Sequence, residues 1–581
     1  MAAAHDGLRG LMLTFPTSVV VGDLSDKLRA IAAIGFEAVD LNMDDAERPD
    51  AAHLVQAAGL KIASVVAVQG DISAALKAAN FIGATLVVAD ILTLPLDVPN
   101  LDAVRLALRP TREIENDVRA LVTQANDPML GLALNSFEAL KDGSRPARLR
   151  DFIGKKVFHV TLHDGPNQPM LPAQGTLNLG GFARVLARSG YDGPWVAGVA
   201  SAGDRAVLNA YRSLVTVMSD AAQTEPLLRD AVPAFPAKVP VKGIEFIEFA
   251  VDPQAAATLE AMLTGLAFRR ERQHLTKQVT LWRQGAVNIV INQENSGHSG
   301  DVMKNHGPSV CDMGLRVQNA AETQDRARAL GTPAFDQSVG LGELNIPAIR
   351  GVGGSVIHFI DEQSDLHRVW DIEFAPVGHA KAIQPAGIRR IDHIAQTMPF
   401  DEMQSWLLYY LSTFEMTKSP IVNVTDPSGI VRSQAIETPE GEVRLNLNGA
   451  ENAQTFAGSF IAGKTGAGAQ HIAFQTDDIF ETSARLAECG FARLEIPYDY
   501  YRQTQDQFSL DDDLTAALRQ GHILYDRDEQ GAYFQLYGEA IFDGFFFEII
   551  QRQGRYAGYG ARNAPIRLTS QATARNKKGT A

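Results

Sequence analysis

The stretch AQHIAFQTDDIFETSARLAECG, residues 469–490, decides the fold of the second half of this 581-residue chain. Apolar residues first alternate at period two and then recur at helical spacing, which predicts a strand that feeds a helix. The same order recurs in VCDMGLRVQNAAETQDRARALG, residues 310–331. Two more pairs of segments repeat in this way, 244–272 with 388–419 and 355–362 with 545–552. Repetition on this scale predicts duplicated βαβββ modules, one over 241–378 and one over 388–568.

Residues 1–222 show a different pattern, in which short apolar strands alternate with amphipathic helices. The predicted strands are 10–15, 38–43, 62–68, 85–90, 104–108, 129–135, 158–164 and 194–200. Eight such units predict a small (β/α)8 TIM barrel. The segment ILTLPLDVPNLDA after the fourth strand carries two prolines, so the barrel is trimmed of a helix there. The predicted fold class is therefore α/β for the barrel and α+β for the modules.

Two segments lack periodicity. QTEPLLRDAVPAFPAKVP, residues 223–240, is rich in proline and predicts a semi-rigid linker between domains. The basic end of the chain, residues 569–581, predicts a disordered tail.

Composition narrows the classes of partner. A formal charge of -15 disfavours nucleic acid and anionic membranes, which both require basic surfaces. No apolar run reaches the roughly 18 residues of a membrane span, and the first residues lack the pattern of a signal peptide. With two cysteines there is no disulfide framework. These features predict a cytoplasmic protein, and they leave open whether it forms a homo-oligomer.

Three strand centres carry the candidate chemistry. His393, His471 and Glu548 each interrupt an apolar strand, and they lie 78 and 77 positions apart in the sequence. Near-equal spacing indicates equivalent positions in successive strands of the repeat, on one face of a sheet. Two imidazoles and one carboxylate form the facial triad of non-haem Fe(II) enzymes. A buried carboxylate is costly without a partner, so the alternative is a His/Glu hydrogen-bond cluster.

The motifs around these residues make the second half similar to 4-hydroxyphenylpyruvate dioxygenase of the vicinal-oxygen-chelate fold. They are IDH, GAQHIAF, ILYDRDEQGAYFQLY, FFFEIIQR and GYGARNAPIR. The resemblance implies that His393, His471 and Glu548 hold Fe(II), with O2 and a 2-oxo acid as substrates. It also implies that Gln535 and Asn448 bind substrate. Mg, Mn or Co remain alternative ions.

The chain departs from this family at two places. The family's Asn-Glu-Pro reads NGA from Asn448 onward, and Pro565 lies where the closing C-terminal helix is expected. We therefore expect that helix, and its aromatic residue, to be replaced.

Over its whole length the chain resembles bacterial fusion proteins in which a xylose-isomerase-like barrel, of the 3-dehydroshikimate dehydratase family, precedes such a dioxygenase-like domain. KLRAIAAIGFEAVDL, DPMLGLALNSFEAL and SGYDGPW carry this resemblance. The family's barrel metal is held by Glu, Asp, Gln and Glu, and these positions align here with Arg109, Asn135, Thr161 and Gly198. None is a carboxylate, so the barrel is expected to be catalytically degenerate. His163 and Asp164 at its rim, with Arg109, could bind a small anion, but the favoured interpretation is that they are solvated loop residues.

The first module offers a second group of ligating side chains. Glu248, Asp312 and His358 align with the three candidate ligands of the second module. They could hold a second metal or form a hydrogen-bonded vestige, which the absence of a metal from the first half of the dioxygenase family favours.

Three functions are compatible with these features. The favoured one is an Fe(II)-dependent dioxygenase acting on a 2-oxo acid, such as an aryl pyruvate. The second is a lyase that converts 3-dehydroshikimate, an aromatic-pathway substrate, to protocatechuate. The third is a non-catalytic scaffold that binds a metal or ligand.

Overall fold

The structure is a computed structural model. It describes residues 12–579, apart from 102, 141–145, 147–155, 166–167, 200–204, 230–231, 233–234, 338, 379–383 and 557. The chain divides into two compact units, Met1–Phe235 and Pro236–Ala581. This boundary lies inside the segment predicted as a linker, and parts of that segment are outside the described residues.

The first unit contains a closed barrel of eight parallel strands in sequential order, which confirms the predicted TIM barrel. Its strands are nearly continuous apolar runs, because both faces of a parallel barrel are covered. They are β1 (Leu13–Pro16), β2 (Ala38–Asn42), β3 (Lys61–Val68), β4 (Leu86–Ile91), β5 (Arg105–Pro110), β6 (Leu130–Asn135), β7 (Val157–Leu162) and β8 (Trp195–Ala197). Predicted residues 10, 11 and 200 lie outside the described part of the chain.

Helices alternate with these strands. They are α1 (Leu24–Ile34), α2 (Met43–Ala46), α3 (Ala51–Ala57), α4 (Ile72–Ile82), α5 (Glu115–Ala125), α6 (Ser136–Leu140), α7 (Leu179–Arg188), α8 (Ala206–Thr224) and α9 (Pro226–Arg229). In α1, Asp23 accepts a hydrogen bond from the Ser25 N–H at the start of the helix, which satisfies one of its free donors. Between β4 and β5 the described residues contain no helix, as the two prolines predict. Since α8 and α9 extend to Arg229, the predicted linker is partly helical.

The second unit begins with the first module, and its strands form one sheet over the described residues in the order β14-β15-β13-β9-β12-β11-β10-β16. Its strands are β9 (Val241–Ala250), β10 (Arg269–His274), β11 (Val279–Gln284), β12 (Val287–Asn292), β13 (Ser309–Val317), β14 (Ala348–Arg350), β15 (Val356–Ile360) and β16 (Phe374–Pro376). Its helices are α10 (Pro253–Gly265), α11 (Gly297–His306), α12 (Ala320–Ala329) and α13 (Val369–Ile372).

The second module forms a corresponding sheet in the order β18-β20-β21-β17-β22-β25-β24-β23, with β19 paired to β20. Its strands are β17 (Ile388–Pro399), β18 (Thr417–Lys418), β19 (Val422–Asp426), β20 (Gly429–Glu437), β21 (Arg444–Ala450), β22 (Gly468–Thr476), β23 (Leu524–Arg527), β24 (Gly531–Tyr537) and β25 (Phe546–Gly554). Its helices are α14 (Phe400–Thr413), α15 (Phe456–Gly463), α16 (Ile479–Glu488), α17 (Tyr498–Phe508), α18 (Asp512–Gly521) and α19 (Ala564–Gly579). The repeat therefore appears as two related sheets, and the strand-to-helix reading of 469–490 is realised as β22 and α16.

One hydrophobic core joins the two modules within this unit. Phe249 of β9 meets Phe545 edge to face, with ring centroids 5.2 Å apart. Ile472 and Phe474 of β22 point into the same core and are fully buried. Because side chains alternate along a strand, one face of the second sheet packs against the core, and His471 and Ala473 lie on the opposite face.

The C-terminal helix corrects two predictions. Residues 569–579 were expected to be disordered and Pro565 to prevent a helix, yet α19 runs through both. Pro565 occupies the second position of the helix, in the first turn, where its missing N–H costs no hydrogen bond. Ser570 and Gln571 are buried, so the helix packs against the unit. Residues 580 and 581 lie outside the described part of the chain.

Among the described residues, no helix has both the length and the apolar character that a membrane crossing requires.

Candidate metal centre

Three neighbouring strands bring the predicted triad together. β17 is antiparallel to β22, and β22 is parallel to β25. Ala473 on the central strand pairs with His393 on one side and with Glu548 on the other. His471 lies two residues before Ala473 and therefore shares its face. The small side chain of Ala473 leaves the space between the three longer ones open.

The three donor atoms form a compact triangle. Nε2 of His393 lies 3.1 Å from Nε2 of His471. Oε2 of Glu548 lies 3.6 Å from the first of these nitrogens and 3.5 Å from the second. Bonds of about 2.1 Å at right angles around one cation place neighbouring ligands about 3 Å apart. The residues therefore fit a divalent metal held on one face by two neutral imidazoles and one carboxylate.

Asp392 holds the first imidazole in place. Nδ1 of His393 donates a hydrogen bond of 2.9 Å to Asp392, so Nε2 faces the other ligands. Arg552 binds the same carboxylate through two hydrogen bonds of 3.0 Å, and Arg444 through one of 3.2 Å. Burial alone would raise the pKa of Asp392, but Arg552 and the His393 hydrogen bond outweigh it and hold that pKa well below its usual range. Such a carboxylate–histidine pair is typical of metal ligands.

The two imidazoles differ in their affinity for a proton. Burial lowers the pKa of His393, but hydrogen bonds to Asp392 and Glu548 outweigh it and raise that pKa above its ordinary value. The pKa of His471 lies well below its ordinary value because of burial, the neighbouring His393 and the positive charge of Arg567. The His471 imidazole is therefore neutral at physiological pH, which is the form that can bind a metal through a ring nitrogen.

Gln535 orients the carboxylate ligand. Its Nε2 donates to Oε1 of Glu548 at 3.0 Å and to the hydroxyl of Tyr537 at 2.7 Å. Its Oε1 accepts from Asn563 at 2.8 Å. A side chain at Gly560, whose φ is +61°, would come within 2.2 Å of this amide oxygen. The amide predicted to bind substrate is thus engaged by protein groups, and it leaves Oε2 of Glu548 facing the imidazoles.

The triad opens into a cavity of about 460 Å³. Gln535 and Asn448, the two predicted substrate-binding residues, both line it. Asn446 also lines it, and its Oδ1 has no hydrogen-bond partner among the described residues. A buried polar atom without a partner marks a place where a ligand's donor fits. Arg567 of α19 forms part of the wall.

Sequence reasoning missed several of these residues. Asp392 was visible as the middle letter of the IDH motif, and its position beside a predicted ligand is the signal that could have identified it. Asn446 lies two residues before Asn448 on the same strand and therefore faces the same cavity. Arg567 was hidden by the expectation that Pro565 ends the helix.

The four barrel positions show no comparable arrangement. Arg109 pairs with Asp90, and Asn135 accepts the Phe137 N–H at 3.0 Å as a helix cap. Thr161 is buried, with no hydrogen-bond partner for its hydroxyl among the described residues. A side chain at Gly198 would lie 2.4 Å from the ring of His163. The described residues contain no group of three metal-ligating side chains in the barrel.

At the barrel rim, the positive charge of Arg109 lies close enough to His163 to lower the pKa of that histidine. Burial, followed by the charge of Arg109, lowers the pKa of His163 to about 4. Asp164 is buried and accepts the N–H groups of Gly165 and Leu177, at 2.8 and 2.9 Å. It is therefore a structural residue of its loop.

The first module contains a cluster that we name the first-half cluster, made of Glu248, His298, Cys311, Asp312 and His358. Nε2 of His298 lies 2.9 Å from one oxygen of Asp312, and Nε2 of His358 lies 3.4 Å from the other. Asn292 donates to Glu248 at 2.7 Å. Burial, followed by repulsion from Asp312, raises the pKa of Glu248 to about 7. Sequence reasoning had named Glu248, Asp312 and His358 but not His298.

Comparisons with known proteins agree with this architecture. A family model described as hydroxyphenylpyruvate dioxygenase, N-terminal, matches residues 235–375. A Pseudomonas aeruginosa protein named 3-dehydroshikimate dehydratase is 36% identical over 478 residues, which cover 78% of this chain and 75% of that protein. The 4-hydroxyphenylpyruvate dioxygenase of the same species is 29% identical over 325 residues, covering 55% of this chain and 90% of the relative.

A solved structure described as a xylose isomerase-like TIM barrel/4-hydroxyphenylpyruvate dioxygenase fusion protein superposes with a TM-score of 0.84 at 30% identity. It covers 97% of this chain and 100% of that one. The relatives are named as dehydratases and as dioxygenases, so the shared property is that of an enzyme. The chain belongs to the family of fusion enzymes that join a xylose isomerase-like TIM barrel to a 4-hydroxyphenylpyruvate dioxygenase-like domain.

Proposed function

We propose that this protein is a non-haem Fe(II) dioxygenase that acts on a 2-oxo acid in the cavity of its second module. The observation that carries the proposal is the triangle of donor atoms from His393, His471 and Glu548, with edges of 3.1 to 3.6 Å. The similarity to 4-hydroxyphenylpyruvate dioxygenase over 325 residues supports it.

The protein's own residues would prepare the site for this chemistry. Asp392 keeps the Nε2 lone pair of His393 directed at the ligand position, and Gln535 does the same for Oε2 of Glu548. When bound, Fe(II) would supply adjacent open positions for a bidentate 2-oxo acid and for O2. Asn448 lines the cavity and is proposed to contact the organic part of the substrate.

The proposal is tested by oxygen consumption together with metal analysis. Protein purified without oxygen and loaded with Fe(II) is expected to consume O2 with 4-hydroxyphenylpyruvate or a related 2-oxo acid. His471→Ala is expected to lose both bound iron and oxygen uptake, whereas His367→Ala, a matched exposed histidine of the first module, is expected to keep both. Iron bound at the triad without oxygen uptake across a series of 2-oxo acids would contradict the dioxygenase and favour a binding scaffold.

The same loading experiment identifies the ion. Mn, Co and Mg compete for similar donors, and availability as well as ligand softness decides which is bound. Two imidazoles favour iron or cobalt over magnesium, which prefers oxygen ligands. Equal retention of magnesium and iron after dialysis would argue against a redox role.

A second candidate function is the dehydration of 3-dehydroshikimate by the barrel. The observation that favours it is the 36% identity to the Pseudomonas aeruginosa protein named 3-dehydroshikimate dehydratase. The four aligned barrel positions, none of them a carboxylate, oppose it. Incubation with 3-dehydroshikimate and Mg²⁺ or Mn²⁺ should give no ultraviolet absorbance of protocatechuate. Product formation that Asn135→Ala abolishes and His471→Ala preserves would assign the activity to the barrel.

A further inference from the structure

Helix α19 brings a cation to the cavity of the triad. Arg567 lines this cavity together with Ala564 and Leu568 of the same helix. Its guanidinium carbon lies 5.2 Å from the centre of the Phe546 ring and 5.6 Å from that of Tyr537. The His471 ring stacks on the same Phe546, with 4.8 Å between ring centroids. One aromatic ring therefore contacts both the arginine and a candidate metal ligand.

Arg567 lacks an anionic partner among the described residues. Its only hydrogen-bond acceptor there is the neutral amide of Gln571, 2.8 Å from one nitrogen. Other arginines near the site behave differently, since Arg552 and Arg444 both bind the carboxylate of Asp392. A guanidinium has five N–H donors in a fork that matches a carboxylate. The half-buried Arg567 therefore faces the cavity with donors to spare.

The charges of the site indicate what these donors are for. A divalent ion held by Glu548 would carry one net positive charge, and the carboxylate of a chelating 2-oxo acid would neutralise it. The charge of Arg567 would then remain without a counterpart inside a cavity of about 460 Å³, which is within the range of small-molecule sites. A second anionic group on the substrate would supply that counterpart.

We propose that Arg567 binds a second carboxylate of the substrate, so that the preferred substrates are 2-oxo diacids rather than 2-oxo monoacids. This inference rests on the proposed action on 2-oxo acids. A single guanidinium matches one carboxylate in charge and in bidentate geometry, whereas a phosphate dianion would leave one negative charge without a partner near Glu548. Arg567 is thus a specificity-determining residue that does not take part in the chemistry.

The inference is tested by the binding of paired probes to the full-length protein loaded with Co(II), measured by calorimetry. The pairs are 2-oxoadipate with 2-oxohexanoate, and 4-carboxyphenylpyruvate with phenylpyruvate, which differ within each pair only by the second carboxylate. We expect the diacid of at least one pair to bind about 10- to 100-fold more tightly, the usual contribution of hydrogen bonds to a charged group. Equal binding within both pairs would overturn the assignment of Arg567.

Variants distinguish the contribution of Arg567 from that of other charges on α19. Arg567→Met should abolish the preference for the diacid and leave monoacid binding within about threefold, while Arg567→Lys should retain part of it, because it keeps the charge and loses the fork. Arg575→Met removes the same charge from an exposed position of α19 and should retain the preference. A preference that persists in Arg567→Met overturns the assignment. Should that variant fail to fold, the comparison of probes on the native protein still decides.

Metal-free protein distinguishes this inference from the proposed function. Removal of Co(II) should weaken the binding of all four 2-oxo acids, because chelation is lost, yet retain a diacid preference that depends on Arg567. A preference with no effect of metal would support the role of Arg567 and overturn the action on 2-oxo acids. No binding of any probe at millimolar concentration would overturn both.

Discussion

The two modules place ionisable side chains at related strand positions but arrange them differently. In the second module, three donor atoms from three strands face one another across 3.1 to 3.6 Å. In the first-half cluster, one oxygen of Asp312 lies 2.9 Å from Nε2 of His298 and the other lies 3.4 Å from Nε2 of His358. Donor atoms of Glu248, Cys311 and Asp312 in that cluster also lie within 4.8 Å of one another. The two sites therefore differ in the donors that face one another, which are two imidazoles and a carboxylate in the second module and two carboxylates and a thiol in the first.

The two modules also differ in the protonation of a second carboxylate, which is Asp392 in the second module and Glu248 in the first. Asp392 stays ionised because Arg552 and the hydrogen bond from His393 lower its pKa, and Arg444 also pairs with it. Glu248 is buried beside Asp312, and its pKa rises to about 7 because of burial and that repulsion. One module stabilises a second negative charge with arginines, whereas the other reduces it by retaining a proton.

If the two sites differ as described, removal of a ligand should affect metal binding in one module only. Glu548→Ala removes the single negative charge of the triad, and we expect metal affinity to fall by at least about 100-fold, the upper end of what even an outer-shell partner costs. Asp312→Ala should leave the metal content unchanged at one ion per chain. Elemental analysis of dialysed protein measures both, and loss of metal in Asp312→Ala would show that the first-half cluster also holds an ion.

The complementary effect should appear in stability. Asp312→Ala leaves His298 and His358 without their shared partner, and we expect the free energy of unfolding of the second unit to fall by about 1 to 3 kcal/mol. Denaturant titration followed by fluorescence measures this change. Asp325→Ala, which removes an exposed carboxylate of the same module, should have an effect below about 0.5 kcal/mol. Equal effects of the two substitutions would mean that the first-half cluster contributes no stability.

Asp392→Asn tests the hydrogen bond behind His393. The amide keeps the size of the side chain but loses the charge, so we expect metal affinity to fall about 10- to 100-fold. Competition with a chelator gives the affinity. The control Asp477→Asn removes an exposed carboxylate and should bind metal as the native protein does. An unchanged affinity in Asp392→Asn would show that the orientation of His393 does not depend on this bond.

The raised pKa of Glu248 predicts how stability depends on pH. Its ordinary pKa of 4.5 is raised to about 7 in the folded protein, so the folded state binds the extra proton. The stabilisation is complete below pH 4.5 and is lost as the pH rises toward 7, by roughly 1 to 3 kcal/mol. Glu248→Gln should reduce this slope, and Glu362→Gln, at an exposed position, should not. Unfolding titrations between pH 5 and 8 measure the slope, and a slope that is unchanged in Glu248→Gln would contradict the prediction.

Much of the fold could be predicted because its signals are local. The alternation of apolar residues in β22 and the helical spacing of α16 identify the repeat, and the eight apolar runs identify the barrel. The triad could be predicted because a polar residue at the centre of an apolar strand stands out. The sequence could not show that Ala473 pairs with both His393 and Glu548, since register depends on contacts between distant strands.

Other features were hidden by their local context. Simple alternation would place Asp392 and His393 on opposite faces of β17, but the register of that strand shifts between Ile391 and His393. Such a bulge redirects side chains, and here the two neighbours form a hydrogen bond. Pro565 was read as a helix breaker, although its effect depends on whether it stands in the first turn. Arg567 was missed for the same reason.

Gly560 lies close to Gln535, which in turn holds the carboxylate of Glu548. A residue twelve positions after Glu548 therefore influences the orientation of this candidate metal ligand. Any side chain at position 560 would push against the amide that holds the carboxylate, in a backbone conformation that only glycine adopts easily. Substitutions at this buried position would therefore look remote from the site in a sequence comparison, yet behave like changes to the ligand itself.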